Sequence, residues 1–245
     1  MNRRDVKVRK MLRDQRKSKA QKYQELIIGR VGLGALIKYE LIMLFCSRVP
    51  GVLGLGLRSK LYPLLLGRVG RGVFFGANVV LRHPHKIFIG DDVVIDDNCM
   101  LDAKGASNKG IFIGDGVFVG RNTIVSCKDG DVRLEDGVNI GFNCVIFSSS
   151  SVVIGQNTLV AAYCYFVGGG NYDLERHDVT FAEQDGLDSL GIEIEANSWI
   201  GANVKILDGV TVGTGAVIGA GAVVRNSIPA NTLAAGVPAQ VLRQR

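Results

Sequence analysis

From Ile89 to Val224 an aliphatic or aromatic residue recurs at every sixth position, in runs of three. The runs are Ile89, Ile95 and Leu101; Ile113, Val119 and Val125; Leu134, Ile140 and Ile146; Ile154, Val160 and Phe166; Ile194, Ile200 and Ile206; and Val212, Ile218 and Val224. Helices repeat near 3.6 residues and half-buried strands near 2, so a period of six belongs to neither. It fits a parallel β-helix, in which each six residues make one short strand and a turn, and three such units close one coil of a triangular prism.

A second column supports the first. Outside the four third members that insertions follow (Leu101, Val125, Ile146 and Phe166), the third residue after each inward one is Asn98, Gly116, Asn122, Gly137, Asn143, Asn157, Asn197, Asn203, Gly209, Gly215 or Gly221, with Asp92, Tyr163 and Ser227 as the departures. Gly and Asn are the residues that best tolerate the positive φ of a tight corner. Val69, Phe75 and Leu81, with Gly72 and Asn78 at the corners, carry the count one coil earlier, which predicts seven coils over residues 68–245.

Interruptions of the count locate the loops. Spacing within each triple is strictly six, and extra residues fall only after the third member: two after Leu81, six after Leu101, three after Val125, two after Ile146 and twenty-two after Phe166. With three units per turn, all of them leave the prism at one corner. The last, a loop at 168–190, is too long to be filler, and loops of that length usually carry function.

The N-terminal region lacks the six-residue count. Residues 1–25 read as a solvated basic helix or a disordered arm. Residues 1–22 contain ten Lys or Arg against two Asp, a net of +8, so a total charge of +6 leaves the remaining chain at −2. Such a segment attracts anionic lipid, at about 1 kcal/mol per basic residue near the surface. The sequence shows no stacking platform or module of the kind that binds nucleic acid.

Residues 26–67 turn to Leu, Gly and aromatics. The pattern predicts an amphipathic helix from about Leu33 to Ser47, a break at Pro50-Gly51 and a second helical segment around Leu53 to Leu65. This pair either caps the first coil or lies in a bilayer interface, placing residues 1–67 against an anionic membrane surface. No charge-free run is long enough to span a bilayer.

Composition agrees with a stacked-coil core: 47% of the 245 residues are apolar, only 7% are aromatic, and there are 32 glycines. The five cysteines have no metal-site or secreted-framework spacing. Cys99, Cys144 and Cys164 each precede a third-strand inward residue by two and read as small core residues, which fits a reducing, cytoplasmic setting.

Four segments carry a resemblance beyond the repeat. These are Leu81 to Ile87, the loop from Gly168-Gly169-Gly170 to Gln184, the run Ile194 to Gly209 with Ser198-Trp199-Ile200-Gly201, and the ending Gly219-Ala220-Gly221 to Gly236-Val237-Pro238-Ala239. With the array they resemble the hexapeptide-repeat acyltransferases, and within them the sugar O-acetyltransferases of polysaccharide and lipopolysaccharide synthesis. The resemblance implies an all-β, left-handed parallel β-helix with an N-terminal α-helical appendage. It also implies a homotrimer, acetyl-CoA as co-substrate in the cleft between neighbouring prisms, a sugar or glycan acceptor and no metal. The expected protein is an O-acetyltransferase peripherally attached to the inner face of the membrane; the alternative is a catalytically inactive trimeric scaffold.

Acetyl transfer to a hydroxyl needs a base, oxyanion donors and an aligning cleft. In the resembled enzymes the base is a His just after the loop glycines, where this chain has Gly170, Asn171 and Tyr172. The catalytic candidates are therefore His177, the loop's histidine, with Asp173 and Asn171. An imidazole, with an ordinary pKa of about 6.5, suits general-base work. For acetyl-CoA the resemblance points to Trp199, Gly201, Ala202, Gly219 and Ala220. The family's Lys after Pro-Ala is Gln240 here, which leaves Lys205, Arg225 and Arg243 for phosphate contact. His83 and His85 lie four coils before the loop and read as local packing where the first coil turns.

Overall fold

The computed structural model describes residues 14–181, 183, 184 and 187–245. Most of the predicted basic arm, residues 1–13, lies outside the described residues. Each coil gives one strand to each of three sheets, called here faces A, B and C. Face A runs from Arg68–Val69 to Thr211–Val212, face B from Phe74–Phe75 to Val217–Ile218, and face C from Val80–Arg82 to Val223–Val224, with seven parallel strands apiece.

The register stacks the inward residues directly. On face B, Ile95 pairs with Val119, Val119 with Ile140, Ile140 with Val160, and Val160 with Ile200. Nearly all of this column is shut off from solvent. Each such aliphatic side chain contributes roughly 1.5–3 kcal/mol on burial.

The corner residues adopt the predicted left-handed conformation, from Asn98 (φ 60°) and Asn143 (φ 55°) to Gly221 (φ 74°). Asp92 and Tyr163 are left-handed as well, at φ 55° and 63°. Cys99, Cys144 and Cys164 are buried at one inner corner, and each thiol donates to a carbonyl one coil on: Gly120 O at 3.2 Å, Ala161 O at 3.2 Å and Gly201 O at 3.1 Å. All five cysteines are free.

The solenoid goes further than the six-residue count. Ile228 bridges to Val212 on face A, and Thr232–Gly236 pairs with Val217–Ile218 on face B, which starts an eighth coil. The step from Val224 to Ile228 is only four residues, so the periodic count stops although stacking continues. Ala239–Gln244 then folds back antiparallel on Thr232–Gly236 and covers that sheet edge.

Helices close the other end. Lys19–Tyr23 (α1) starts with a Ser18/Gln21 capping box and runs into a π-helical turn, Gln24–Ile28. Leu33–Cys46 (α2) and Gly51–Leu61 (α3) follow, close to the predicted bounds. Tyr39 and Arg58 reach the carbonyls of the first coil, which no lower coil is there to satisfy. Tyr39 Oη donates to Leu81 O (2.8 Å), and Arg58 Nε donates to Phe75 O (2.9 Å).

His83 joins the π turn to the coil: its backbone N–H donates to Ile27 O (2.7 Å) and its Nε2 lies 2.9 Å from Glu25 O. Burial, followed by the nearby Arg30 charge, pushes His85 down to about 4. The local packing role expected of both histidines is thus what the structure shows.

One expectation changes. Helix α2 is not amphipathic in the usual sense, because Tyr39, Ile42 and Cys46 are buried on one face while Leu33, Ile37, Leu41, Leu44 and Phe45 are exposed on the other. Capping is therefore carried by one face alone, and a second apolar face remains outside.

Candidate functional site

The long loop leaves face C at Tyr165–Gly168 and returns to face A at Ile192–Ile194. Its exit needs glycine. Gly169 and Gly170 have φ of 141° and 85°, and a Cβ on Gly169 would collide with the Ser149 hydroxyl. That hydroxyl is 2.8 Å from Ser189 Oγ and donates to Gly168 O at 3.0 Å, tying the two feet of the loop together.

Asp208, from the same corner one coil on, holds the loop from beneath. Its carboxylate accepts from Asn171 Nδ2 (2.6 Å), Leu190 N (2.9 Å) and Gly191 N (2.9 Å). Asn171 O accepts in turn from Leu187 N (2.8 Å). Gln184 is buried inside the loop, where its Oε1 accepts from Asp173 N (3.0 Å) and its Nε2 donates to Asp173 O (3.1 Å). Asp208 and Gln184 thus give the loop its shape. Neither stood out in the sequence, although Asp208 does fall beside the corner glycine Gly209 in the coil after the insertion.

The three catalytic candidates are placed differently. Asn171 is committed to Asp208, and the Asp173 carboxylate caps the turn by accepting from Glu175 N (3.0 Å). His177 is exposed, with no hydrogen-bond partner among the described residues. Its neighbours are bound to one another: Arg176 Nε donates to Asp178 Oδ1 at 2.8 Å, and this pairing lowers the Asp178 pKa. Hydrogen bonds from Thr180 likewise hold Glu183 below the usual carboxylate range. Both carboxylates are therefore weakened as bases by the groups that hold them, whereas the His177 imidazole carries no such tie among the described residues.

The acetyl-CoA candidates lie elsewhere on the prism. Trp199 is 55% exposed on face B, and Gly201, Ala202, Gly219 and Ala220 form the corner between faces B and C. Gly201 and Gly219 have a structural reason to be small. A Cβ on Gly201 would come within 2.6 Å of Ala220 N, and one on Gly219 within 2.8 Å of the Ala235 Cβ. Ala202 and Ala220 are the exposed small residues of this edge.

Lys205 Nζ is pinned to Asn203, at 2.6 Å from Oδ1 and 3.1 Å from O, while Arg225 is exposed after the last strand of face C. The loop and the Trp199 edge thus occupy different corners of one triangle, and one chain does not bring them together. A shallow cavity of about 240 Å³, lined by Ser151, Val153, Leu190, Glu193 and Thr211, opens at the loop's foot. Among the described residues, no three His, Cys, Asp or Glu side chains gather in a metal-binding group.

The repeat and its relatives agree with this geometry. The family model for the bacterial transferase hexapeptide (six repeats) matches residues 191–226, and that for the hexapeptide repeat of succinyl-transferase matches 68–103 and 131–165. These segments of the chain therefore match the hexapeptide repeat found in bacterial transferases.

Rv3034c of Mycobacterium tuberculosis, which carries the name of an acetyltransferase, is 34% identical over 54% of this chain and 44% of its own length. WbbJ of Escherichia coli, named for lipopolysaccharide biosynthesis O-acetyl transfer, is 31% identical over 47% of this chain and 61% of its own. The chain spans about half the length of the curated relatives it matches. Among solved structures, a variant of AntD, an N-acyltransferase from Bacillus cereus in complex with dTDP and coenzyme A, shares the fold with a TM-score of 0.53 at 20% identity. That match covers 74% of this chain and 85% of AntD.

Proposed function

We propose that this protein is an acetyl-CoA-dependent O-acetyltransferase that acts on a sugar hydroxyl, works as a homotrimer and does so at a membrane surface. The observation that carries the reading is the loop, held by Asp208 over a hexapeptide-repeat prism, with an exposed imidazole on its turn that has no partner among the described residues. The names borne by Rv3034c and WbbJ support acetyl transfer and a glycan acceptor, and the coenzyme A bound to AntD supports the donor.

The divided site supports assembly. Face B carries exposed large apolar side chains, Phe74, Phe118, Leu159 and Trp199, at the equivalent position of the first, third, fifth and sixth coils, with Val94 and Asn139 between them. Packed against a second prism, this face would bring the small-residue edge of one chain towards the loop of the next. A cleft of that kind aligns acetyl-CoA, lying along Ala202 and Ala220 with Arg225 free for a phosphate, with an acceptor held under the loop.

In the reaction the neutral His177 imidazole takes the proton of the sugar hydroxyl as its oxygen attacks the thioester carbonyl. The tetrahedral oxyanion then collapses, the C–S bond breaks, and the departing thiolate takes the proton from the imidazolium. The products are an acetyl ester and CoA thiol.

Thiol release from acetyl-CoA with a panel of soluble glycosides tests this reading. His177→Ala should lower kcat by about 10²-fold or more with an unchanged melting temperature, since a positioned base contributes roughly 10²–10⁴. Unchanged turnover in the variant rejects His177 as the base. An absence of both turnover and calorimetric acetyl-CoA binding rejects the transferase in favour of the scaffold.

A further inference from the structure

The outer face of the helical cap is apolar where a protein surface should be polar. On α2, Leu33, Ile37, Leu41, Leu44 and Phe45 recur at helical spacing and are exposed, Leu44 at 73%. On α3, Val52 is 85% and Leu53 70% exposed. Both helices turn their opposite face to the first coil through Tyr39, Ile42 and Cys46 and through Gly54 and Arg58, so the exposed faces point away from the prism's end. Contiguous apolar patches of this kind mark interaction surfaces.

Charge selects the occupant. Arg30, Lys38, Arg48 and Lys60 are exposed around the patch. The single acid of residues 26–67, Glu40, accepts from Tyr23 Oη at 2.6 Å. The preceding 22 residues add a net charge of +8. Two copies meeting through this face would set like charges together, whereas an anionic bilayer satisfies both the apolar and the basic features. No helix among the described residues is long and apolar enough to cross a membrane, so the helices lie in the interface plane.

From this we infer that the cap docks the prism end-on to an anionic lipid bilayer and holds the loop at a fixed height above it. The inference rests on the transferase reading for its use but not for its test. A coil rises about 4.8 Å and a helix is about 10 Å thick, so a loop leaving the fifth coil stands about 30 Å above the lipid. At that height it faces sugars held clear of the bilayer. Parallel prisms in a trimer would set three such faces in one plane.

The experiment is co-sedimentation of the full chain with vesicles of mixed phosphatidylcholine and phosphatidylglycerol, alongside fluorescence with brominated acyl chains. Wild type should pellet with the mixed vesicles, less with phosphatidylcholine alone and less in high salt. The double variant Leu44→Glu, Val52→Glu should lose about tenfold or more in vesicle affinity, with circular-dichroism melting unchanged.

Orientation is read from the only tryptophan, Trp199 of the sixth coil. It should escape bromine quenching, while Phe45→Trp in a Trp199→Phe background should be quenched. Undiminished pelleting of the double variant overturns the docking face, and quenching of Trp199 overturns the end-on geometry. A change in the variant's vesicle-free oligomeric mass, with lipid binding intact, assigns the face to a second copy instead. Turnover of soluble glycosides and acetyl-CoA binding are read separately: the absence of both in wild type defeats the transferase reading while leaving the vesicle result standing.

Discussion

The prism and the loop that leaves it are built on opposite principles. Each inward side chain of the prism is held by equivalents one coil above and one below, inside a ladder of parallel strands, so that many similar contacts determine its place. The loop at 168–190 contains no strand or helix among its described residues beyond the first strand end, and its course depends on Asp208, Gln184 and the Ser149–Ser189 pair. Redundant contacts make a scaffold that single polar changes hardly disturb. Sparse contacts make a segment whose geometry one side chain can alter, which suits a region that must present a reactive group.

The largest effect should come from the redundant part. Phe166 is fully buried in the fifth coil, and Phe166→Ala should cost about 3–5 kcal/mol in urea denaturation, as expected for a large cavity in a close-packed core. A loss below about 1 kcal/mol would mean that the coils rearrange freely, and the contrast with the loop would fail.

A smaller global effect with a larger local one is expected at Asp208. Asp208→Ala leaves three donors without their acceptor, a cost of about 1–3 kcal/mol borne by the loop feet. Amide exchange at Leu190 and Gly191 should accelerate about tenfold to a hundredfold, while exchange at Ile140 and Ile146 stays slow. Equal protection of Leu190 in both proteins would show that the loop is held some other way.

These two parts were also unequally legible in the sequence. Coil geometry repeats every six residues, so each inward and corner position was sampled many times over, and exceptions such as Tyr163 could not hide the column. The count failed where the repeat itself changed phase, at the four-residue step from Val224 to Ile228, and the start of the eighth coil was missed for that reason.

In the cap, the bounds of α2 and α3 followed from helical spacing and the Pro50-Gly51 break, yet an either-or choice between capping and lipid was too narrow for a helix with two apolar faces. The loop has no period. Asp208 lies 37 residues from Asn171, and nothing local to either residue announces the hydrogen bond between them. Chemistry-bearing types could be picked out there, but which of them would be tied down, as Asn171 is, depends on long-range contacts.

The smallest expected effect tests the repeat at one corner. Asn143 sits at φ 55° with no side-chain hydrogen bond among the described residues, so backbone conformation is nearly all it supplies. Asn143→Ala should destabilise by about 1–2 kcal/mol, the cost of a left-handed residue with a Cβ and no local polar compensation. Asn143→Gly should be close to neutral, because its easier φ is offset by a more flexible unfolded chain. The pair is read from urea midpoints at constant m-value. If alanine and glycine prove equivalent, the corner relaxes around a side chain, and coil-to-coil stacking rather than corner conformation sets the path of the chain. If they separate as expected, the prism is determined twice at every coil, by its inward residue and by its corner, while the loop is determined once.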